Sequence, residues 1–202
     1  MAQNIYLIRH AESEIHGTYC GSSNAGLSPK GMEQAQKLCS FLNSIPLQIC
    51  YVSPLLRAQL TIEPLRANPK IQFIPAEGMR EMHFGAWEAL PFADVQRQWP
   101  EIYEKWMQSP TTVDIPGAET FAAFVERVRL FMQELAQCQA EHVAVVAHAG
   151  SLSVLTLLFL QKPLSEFWTM ISPNASISTF VKTGLNGSSQ FKLKQLHEVS
   201  HL

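Results

Sequence analysis

Two hydrophobic periods alternate along the chain. Residues 4–8 carry an unbroken apolar run, Ile5 to Ile8, and read as a buried strand. Ser28 followed by Pro29 reads as a helix N-cap and a favoured first-turn proline. Met32, Ala35, Leu38, Cys39 and Leu42 then recur at helical spacing, as one core-facing stripe. LQICYVS (47–53) predicts a second strand, and LLRAQLTIEPL (55–65) a short helix that Pro64 disturbs. IQFIPA (71–76) predicts a third strand, and residues 90–108 a helical stretch interrupted at Pro100. The clearest helix covers 119–138, with Phe121, Phe124, Val125, Val128, Phe131, Met132 and Leu135 as its apolar stripe. HVAVVAH (142–148) is apolar at successive positions, as in a strand covered on both faces, and a helix follows to about Leu160. Residues 175–182 and 190–196 alternate and predict a closing hairpin around Gly184 and Gly187.

Strands alternating with helices predict an α/β/α three-layer sandwich with a mostly parallel sheet. The stretch 77–118, rich in aromatics and proline, breaks the alternation and is expected to form a cap beside a site. Composition narrows the class. With 202 residues the chain reads as one domain, and a net charge of −2 offers no basic nucleic-acid footprint. Its apolar run from Leu152 to Leu160 is too short to span a bilayer. Cys20, Cys39, Cys50 and Cys138 show no paired spacing and read as reduced thiols, and no signal peptide is evident, so a cytoplasmic location is expected. Neither nucleic acid nor membrane is expected as a partner, while sheet edges and exposed apolar positions allow a homodimer.

In open α/β sheets, ligands bind beyond the carboxyl ends of the strands. Those ends carry Arg9 and His10; Ser53 with Arg57 a turn later; Glu77 and Glu81; and His148 in AHAGS, opening a helix. Arginine forks match phosphoryl oxygens, a helix N-terminus offers N–H donors, neutral histidine carries a nucleophilic lone pair, and a carboxylic acid can protonate a leaving alkoxide. Metal binding is the rival reading of the histidines. No Asp-rich loop or cysteine pair supports it, and neither a metal nor a cofactor is expected.

Several stretches in order resemble the histidine phosphatase superfamily, the phosphoglycerate mutase-like fold: LIRHAES, GLSPKGMEQAQKL, SPLLRAQLT, MREMHFGAWE and VVAHAG. GTYCGSSNAGL, MREMHFGAWE and ETFAAFVERVRLF most resemble its alpha-ribazole phosphatase branch. The resemblance implies one histidine phosphatase domain over 1–202 with a cap-like insertion around 77–118. It implies a phosphohistidine intermediate on His10, phosphoryl binding by Arg9, Arg57 and His148, and proton transfer by Glu81. It also implies a small-molecule phosphomonoester as substrate, with alpha-ribazole 5′-phosphate first. A broad-specificity, sugar or phosphoglycerate phosphatase, a mutase, and an inactive phospholigand-binding module are the alternatives. Two positions depart from the family pattern. Ala11 replaces a glycine, where a methyl group is expected to crowd the phosphate loop, and His16 replaces an asparagine, as a phosphate contact or a surface residue. The arginine that mutases carry after the catalytic glutamate is absent from Glu81-Met82-His83-Phe84-Gly85, which favours hydrolysis. Tyr19, Phe84 and Trp87 are candidates for an aromatic substrate pocket. Glu77 and Glu88 compete with Glu81, and Glu119 is expected to favour its helix N-terminus.

Overall fold

A computed structural model describes residues 3–184 and 190–202; Gly187, expected in the hairpin turn, lies outside them. Six strands form one mixed sheet: β1 (Gln3–Arg9), β2 (Ile49–Val52), β3 (Gln72–Pro75), β4 (His142–Ala147), β5 (Ile177–Thr183) and β6 (Gln190–Glu198), in the order β3-β2-β4-β1-β5-β6. The first four run parallel, and β5 and β6 add antiparallel partners beyond β1.

Alternate side chains along each strand serve two cores, as the two-residue period dictates. Ile8, Cys50, Val52, Ala144 and Val146 face α1 (Pro29–Leu42) and α2 (Leu56–Thr61). Ile5, Leu7, Tyr51, Val143 and Val145 face α5 (Phe121–Gln137) and α6 (Ala149–Leu160). The sheet is thus covered on both sides, the expected three layers. Between β3 and α5 lie α3 (Phe92–Gln98) and α4 (Pro100–Gln108), which break at Trp99 because Pro100 opens the second helix.

Local chemistry sets the helix ends. The Ser28 hydroxyl accepts from Gly31 N at the start of α1, and the Thr120 hydroxyl from Ala123 N at the start of α5. Eight of the twelve residues of α6 are apolar, none is charged, and nine are buried, as a helix without a polar face requires. Two expectations need correction. Met32 is 56% exposed, and Gly31 takes its place on the buried face of α1, because a Cβ there would lie 2.0 Å from the Glu12 carbonyl oxygen. Strand β5 begins at Ile177 rather than 175 because Ala175 adopts a left-handed φ of 55°.

Candidate active site

The parallel register aligns the carboxyl ends of the strands. Arg9 lies opposite Ala147 and Val52 opposite Val146, so His10, His148 and Ser53 follow side by side. The imidazoles of His10 and His148 lie 5.1 Å apart between centroids. His10 Nδ1 sits 2.7 Å from the Ala11 carbonyl oxygen and donates to it, which leaves the Nε2 lone pair uncommitted. The Asn174 amide and Ala175 N both donate to the His10 carbonyl, fixing the backbone beneath the ring. Burial, and after it the charges of Arg9 and Arg57, pushes the His10 pKa well below the ordinary 6.5, so the ring is neutral near pH 7.

Arg57 is fully buried on α2, not spread over a helix surface. Its Nε donates to His148 Nδ1 at 3.1 Å, and its terminal nitrogens donate to the carbonyls of Cys20, Gly21 and Ser23. With Nδ1 accepting, His148 carries its proton on Nε2 and donates it to the Ser53 hydroxyl at 2.7 Å. Burial and the Arg57 charge push the His148 pKa well below 6.5. Arg9 Nη1 donates to the Ser172 carbonyl, while its buried Nε has no partner among the described residues. A buried orphan donor on a cation suits an anion.

Glu81 is seated on the start of α6. Its carboxylate accepts from Gly150 N at 2.9 Å, Ser151 N at 3.2 Å and its neighbour Met82 N at 3.1 Å. A Cβ on Gly150 would stand 2.5 Å from Glu81 Oε1, so only glycine leaves room for this seat. The helix N-terminus expected to face a phosphate therefore holds a protein carboxylate. The competing acids are placed elsewhere. Glu77 is exposed and pairs with Arg80. Glu88 binds the 22–23 loop through Ser22 N, Ser23 N and the Ser23 hydroxyl, and also takes Phe84 N. Burial raises its pKa, but these bonds outweigh burial and leave it lowered. Glu119 meets the Arg127 guanidinium rather than its own helix terminus.

A cavity of about 390 Å³ opens over Arg9, His10 and Glu81, within the usual range of small-molecule sites. His16, exposed at its rim, and Tyr19 and Phe84 on its wall also line it. Arg57 and His148 do not line it; they form a second row behind His10. Trp87 is corrected out of the pocket. It is fully buried behind Tyr19, with ring centroids 5.0 Å apart. The Ala11 methyl does not crowd the site: it packs in the core with Ile8 and Ala58, and Ala11 N donates to the Thr61 hydroxyl.

Sequence reading missed the outer wall: Phe92, Tyr103, Trp106 and Met107 from α3 and α4, and Phe167 and Trp168 from the turn before β5. It also missed Asn174, which bonds a backbone carbonyl, and Arg127, which bonds three backbone carbonyls beside Glu119. His197 and His201 have the His-Glu-x-x-His spacing, which binds metal when both histidines share a helix face. Here His197 is in strand β6 with a φ of 53°, and His201 Nε2 lies 2.9 Å from the Ala175 carbonyl. No group of three or more His, Cys, Asp or Glu gathers as a metal site among the described residues.

The chain that brings this histidine pair between Arg9 and Arg57 to the carboxyl edge of the sheet matches the profile of the histidine phosphatase superfamily (branch 1) over residues 5–190. The chain belongs to that family and is a phosphatase-type hydrolase acting on small phosphate compounds. Among its relatives, phosphoserine phosphatase 1 of Hydrogenobacter thermophilus is 31% identical over 86% of this chain and 84% of its own. The adenosylcobalamin/alpha-ribazole phosphatase of Escherichia coli is 32% identical over 81% of this chain and 82% of its own. The crystal structure of the alpha-ribazole phosphatase from Shigella flexneri superposes with a TM-score of 0.85 at 28% identity, covering 97% of this chain and 96% of that one. No helix among the described residues is long and apolar enough to cross a membrane.

Proposed function

We propose that this protein hydrolyses phosphomonoesters of neutral, aromatic alcohols, with alpha-ribazole 5′-phosphate as the substrate to expect, in the cytoplasm. The observation that carries the choice is the outer wall of the cavity. Beyond Arg9, His10 and Glu81, His16 is the one lining side chain among the described residues that can become cationic; Ser13, Thr18 and Asn174 are polar but neutral, and most of the remaining side chains are aromatic or apolar. Phosphoserine would bring a carboxylate and an ammonium into that space, where only exposed His16 at the rim could meet the carboxylate and only Glu81 the ammonium, so both would be poorly paired. A heteroaromatic ring stacks there at no such cost. In this reading residues 77–118 serve as the cap that supplies Phe84, Phe92, Tyr103, Trp106 and Met107 to the wall.

The chemistry follows from the inner end. Arg9 grips the phosphoryl oxygens, and Arg57, with one Nη1 hydrogen uncommitted, adds charge and a donor from behind, its guanidinium held in place by His148 Nδ1. The His10 Nε2 lone pair attacks phosphorus, and the P–N bond forms as the P–O bond to the alcohol breaks. Glu81 gives a proton to the departing oxygen, then takes one from the water that cleaves the phosphohistidine. The histidine must be neutral to attack, and its burial between arginines secures that.

The test is phosphate release from alpha-ribazole 5′-phosphate, phosphoserine, phosphoglycerates and sugar bisphosphates, with His10→Ala as control. We expect kcat/KM for the ribazole ester to exceed that for phosphoserine by about 10²-fold or more, as an unpaired buried charge demands, and no turnover by His10→Ala. Preference for phosphoserine would overturn the substrate. Turnover by His10→Ala would overturn the nucleophile.

A further inference from the structure

Arg127 on α5 stands outside the cavity, yet three of its five N–H groups are spent on the segment that carries Glu81, and the other two on Glu119. Its Nη1 donates to the carbonyls of Gly78 at 2.9 Å and Arg80 at 2.7 Å. Its Nη2 donates to the Glu81 carbonyl at 2.9 Å and to Glu119 Oε1 at 2.6 Å, and its Nε to Glu119 Oε2 at 3.1 Å. All five N–H groups of a guanidinium are thereby used. Glu119 extends the hold: it also accepts from His83 N at 2.9 Å, and its own N–H donates to the His83 carbonyl. The Arg127 guanidinium rests 4.7 Å above the Phe124 ring, which fixes its plane.

The consequence concerns Glu81. Residues 80–84 belong to no helix or strand, so no ladder holds them. The Glu81 side chain is anchored to α6 at one end, and its carbonyl to α5 through Arg127 at the other. We propose that Arg127, with Glu119 as its counter-ion, is a positioning residue for proton transfer to the leaving group; this rests on the reading of Glu81 given above. Lysine cannot replace it. An ammonium is a point donor and cannot span three carbonyls and a carboxylate at once.

A group that acts through Glu81 leaves a signature that general destabilisation does not. Misplacing a reacting group by about 1 Å costs on the order of 10²-fold, and the cost falls on substrates whose leaving oxygen needs a proton. The experiment compares kcat for 2-phenylethyl phosphate and 4-nitrophenyl phosphate in Arg127→Ala, Arg127→Lys and Glu119→Gln, alone and combined with Glu81→Gln. Competitive inhibition by inorganic phosphate reports whether the His10 end is intact.

We expect Arg127→Ala to lose about 10- to 10²-fold on the alkyl ester and about 3-fold or less on the nitrophenyl ester, with phosphate inhibition kept. In the Glu81→Gln background the same substitution should cost almost nothing more. If Arg127→Ala does not fold, Arg127→Lys and Glu119→Gln carry the same comparison. Equal losses on both esters, or full additivity with Glu81→Gln, would overturn the proposal. If Glu81→Gln itself loses equally on both esters, the reading of Glu81 falls first. If Glu81→Gln is selective and the Arg127 variants are not, the positioning role alone falls.

Discussion

Gly150→Ala separates stability from chemistry at one atom. The added methyl would stand 2.5 Å from Glu81 Oε1, 3.2 Å from Cδ and 3.4 Å from Oε2. Carbon and oxygen do not pack so closely, and the flexible carboxylate yields before the helix does, retreating by about 1 Å. The bonds from Gly150 N and Ser151 N, now 2.9 and 3.2 Å, then leave hydrogen-bonding range. Each is worth about 1.5–3 kcal/mol when the acceptor is ionised, and cavity water recovers part of that. Alanine in place of glycine within a helix returns about 1 kcal/mol, and Gly150 has no left-handed φ that an alanine would strain. The net effect on stability should therefore be a loss of only about 1–3 kcal/mol. The displaced carboxylate should lower kcat for 2-phenylethyl phosphate by about 10²-fold, or about 2.7 kcal/mol of barrier, with far less loss on 4-nitrophenyl phosphate. Steady-state rates on both esters, beside urea unfolding of the same preparation, decide the matter. Alkyl-ester turnover within about 3-fold of wild type would refute the reasoning that Glu81 works from its seat on α6.

Two further outcomes follow from the charges around the site. The folded-state pKa values of His10 and His148 lie well below 6.5, so below that pH the unfolded chain binds protons that the folded chain refuses. Stability that is complete above 6.5 should fall as pH drops toward the depressed values, by up to about 1.4 kcal/mol per pH unit for each ring. Urea unfolding from pH 7.5 to 5 should show a slope about one proton shallower in His10→Gln, and an unchanged slope would refute the buried neutral state. Glu88→Ala strands Ser22 N, Ser23 N and Phe84 N and loosens the loop whose carbonyls hold Arg57. It should cost about 2–3 kcal/mol and lower kcat/KM equally on alkyl and nitrophenyl esters; a selective loss on the alkyl ester would make Glu88 an acid after all.

What the chain discloses locally is what its periods and punctuation encode. β1 and β4 are legible because unbroken apolar runs fit strands buried on both faces, and the α3–α4 break is legible because proline cannot continue a helix. Arg9, His10, Arg57 and His148 converge because parallel strands place their carboxyl ends on one edge. Met32 reads as core by period because glycine scores as neutral in any hydrophobic count, while the buried face of α1 needs Gly31 for close backbone approach. Trp87 shows the limit for aromatics. Tyr19, Phe84, Trp87 and Trp106 are one mutually packed set, and whether a ring faces core or cavity depends on how α4 meets the 84–87 turn.

Arg127 and Glu88 were illegible for a more general reason. Most of their partners are backbone carbonyls and N–H groups, which every residue type carries and no sequence pattern marks. On α5, Arg127 occupies an ordinary polar position beside the stripe of Phe124 and Val128, indistinguishable by period from Arg129, which pairs with exposed Glu126. The distinction arises when residues 78–83 cross α5 without a ladder of their own. Their carbonyls must then find donors, since buried polar groups left unpaired cost about 1–3 kcal/mol each. One guanidinium serves three of them and so sets where Glu81 begins, while Gly150 and Ser151 set where its carboxylate ends. His10 is positioned by a strand end, but Glu81 is positioned by two helices acting on a loop, and that difference makes the placement of Glu81 the part of this site most open to single substitutions far from His10.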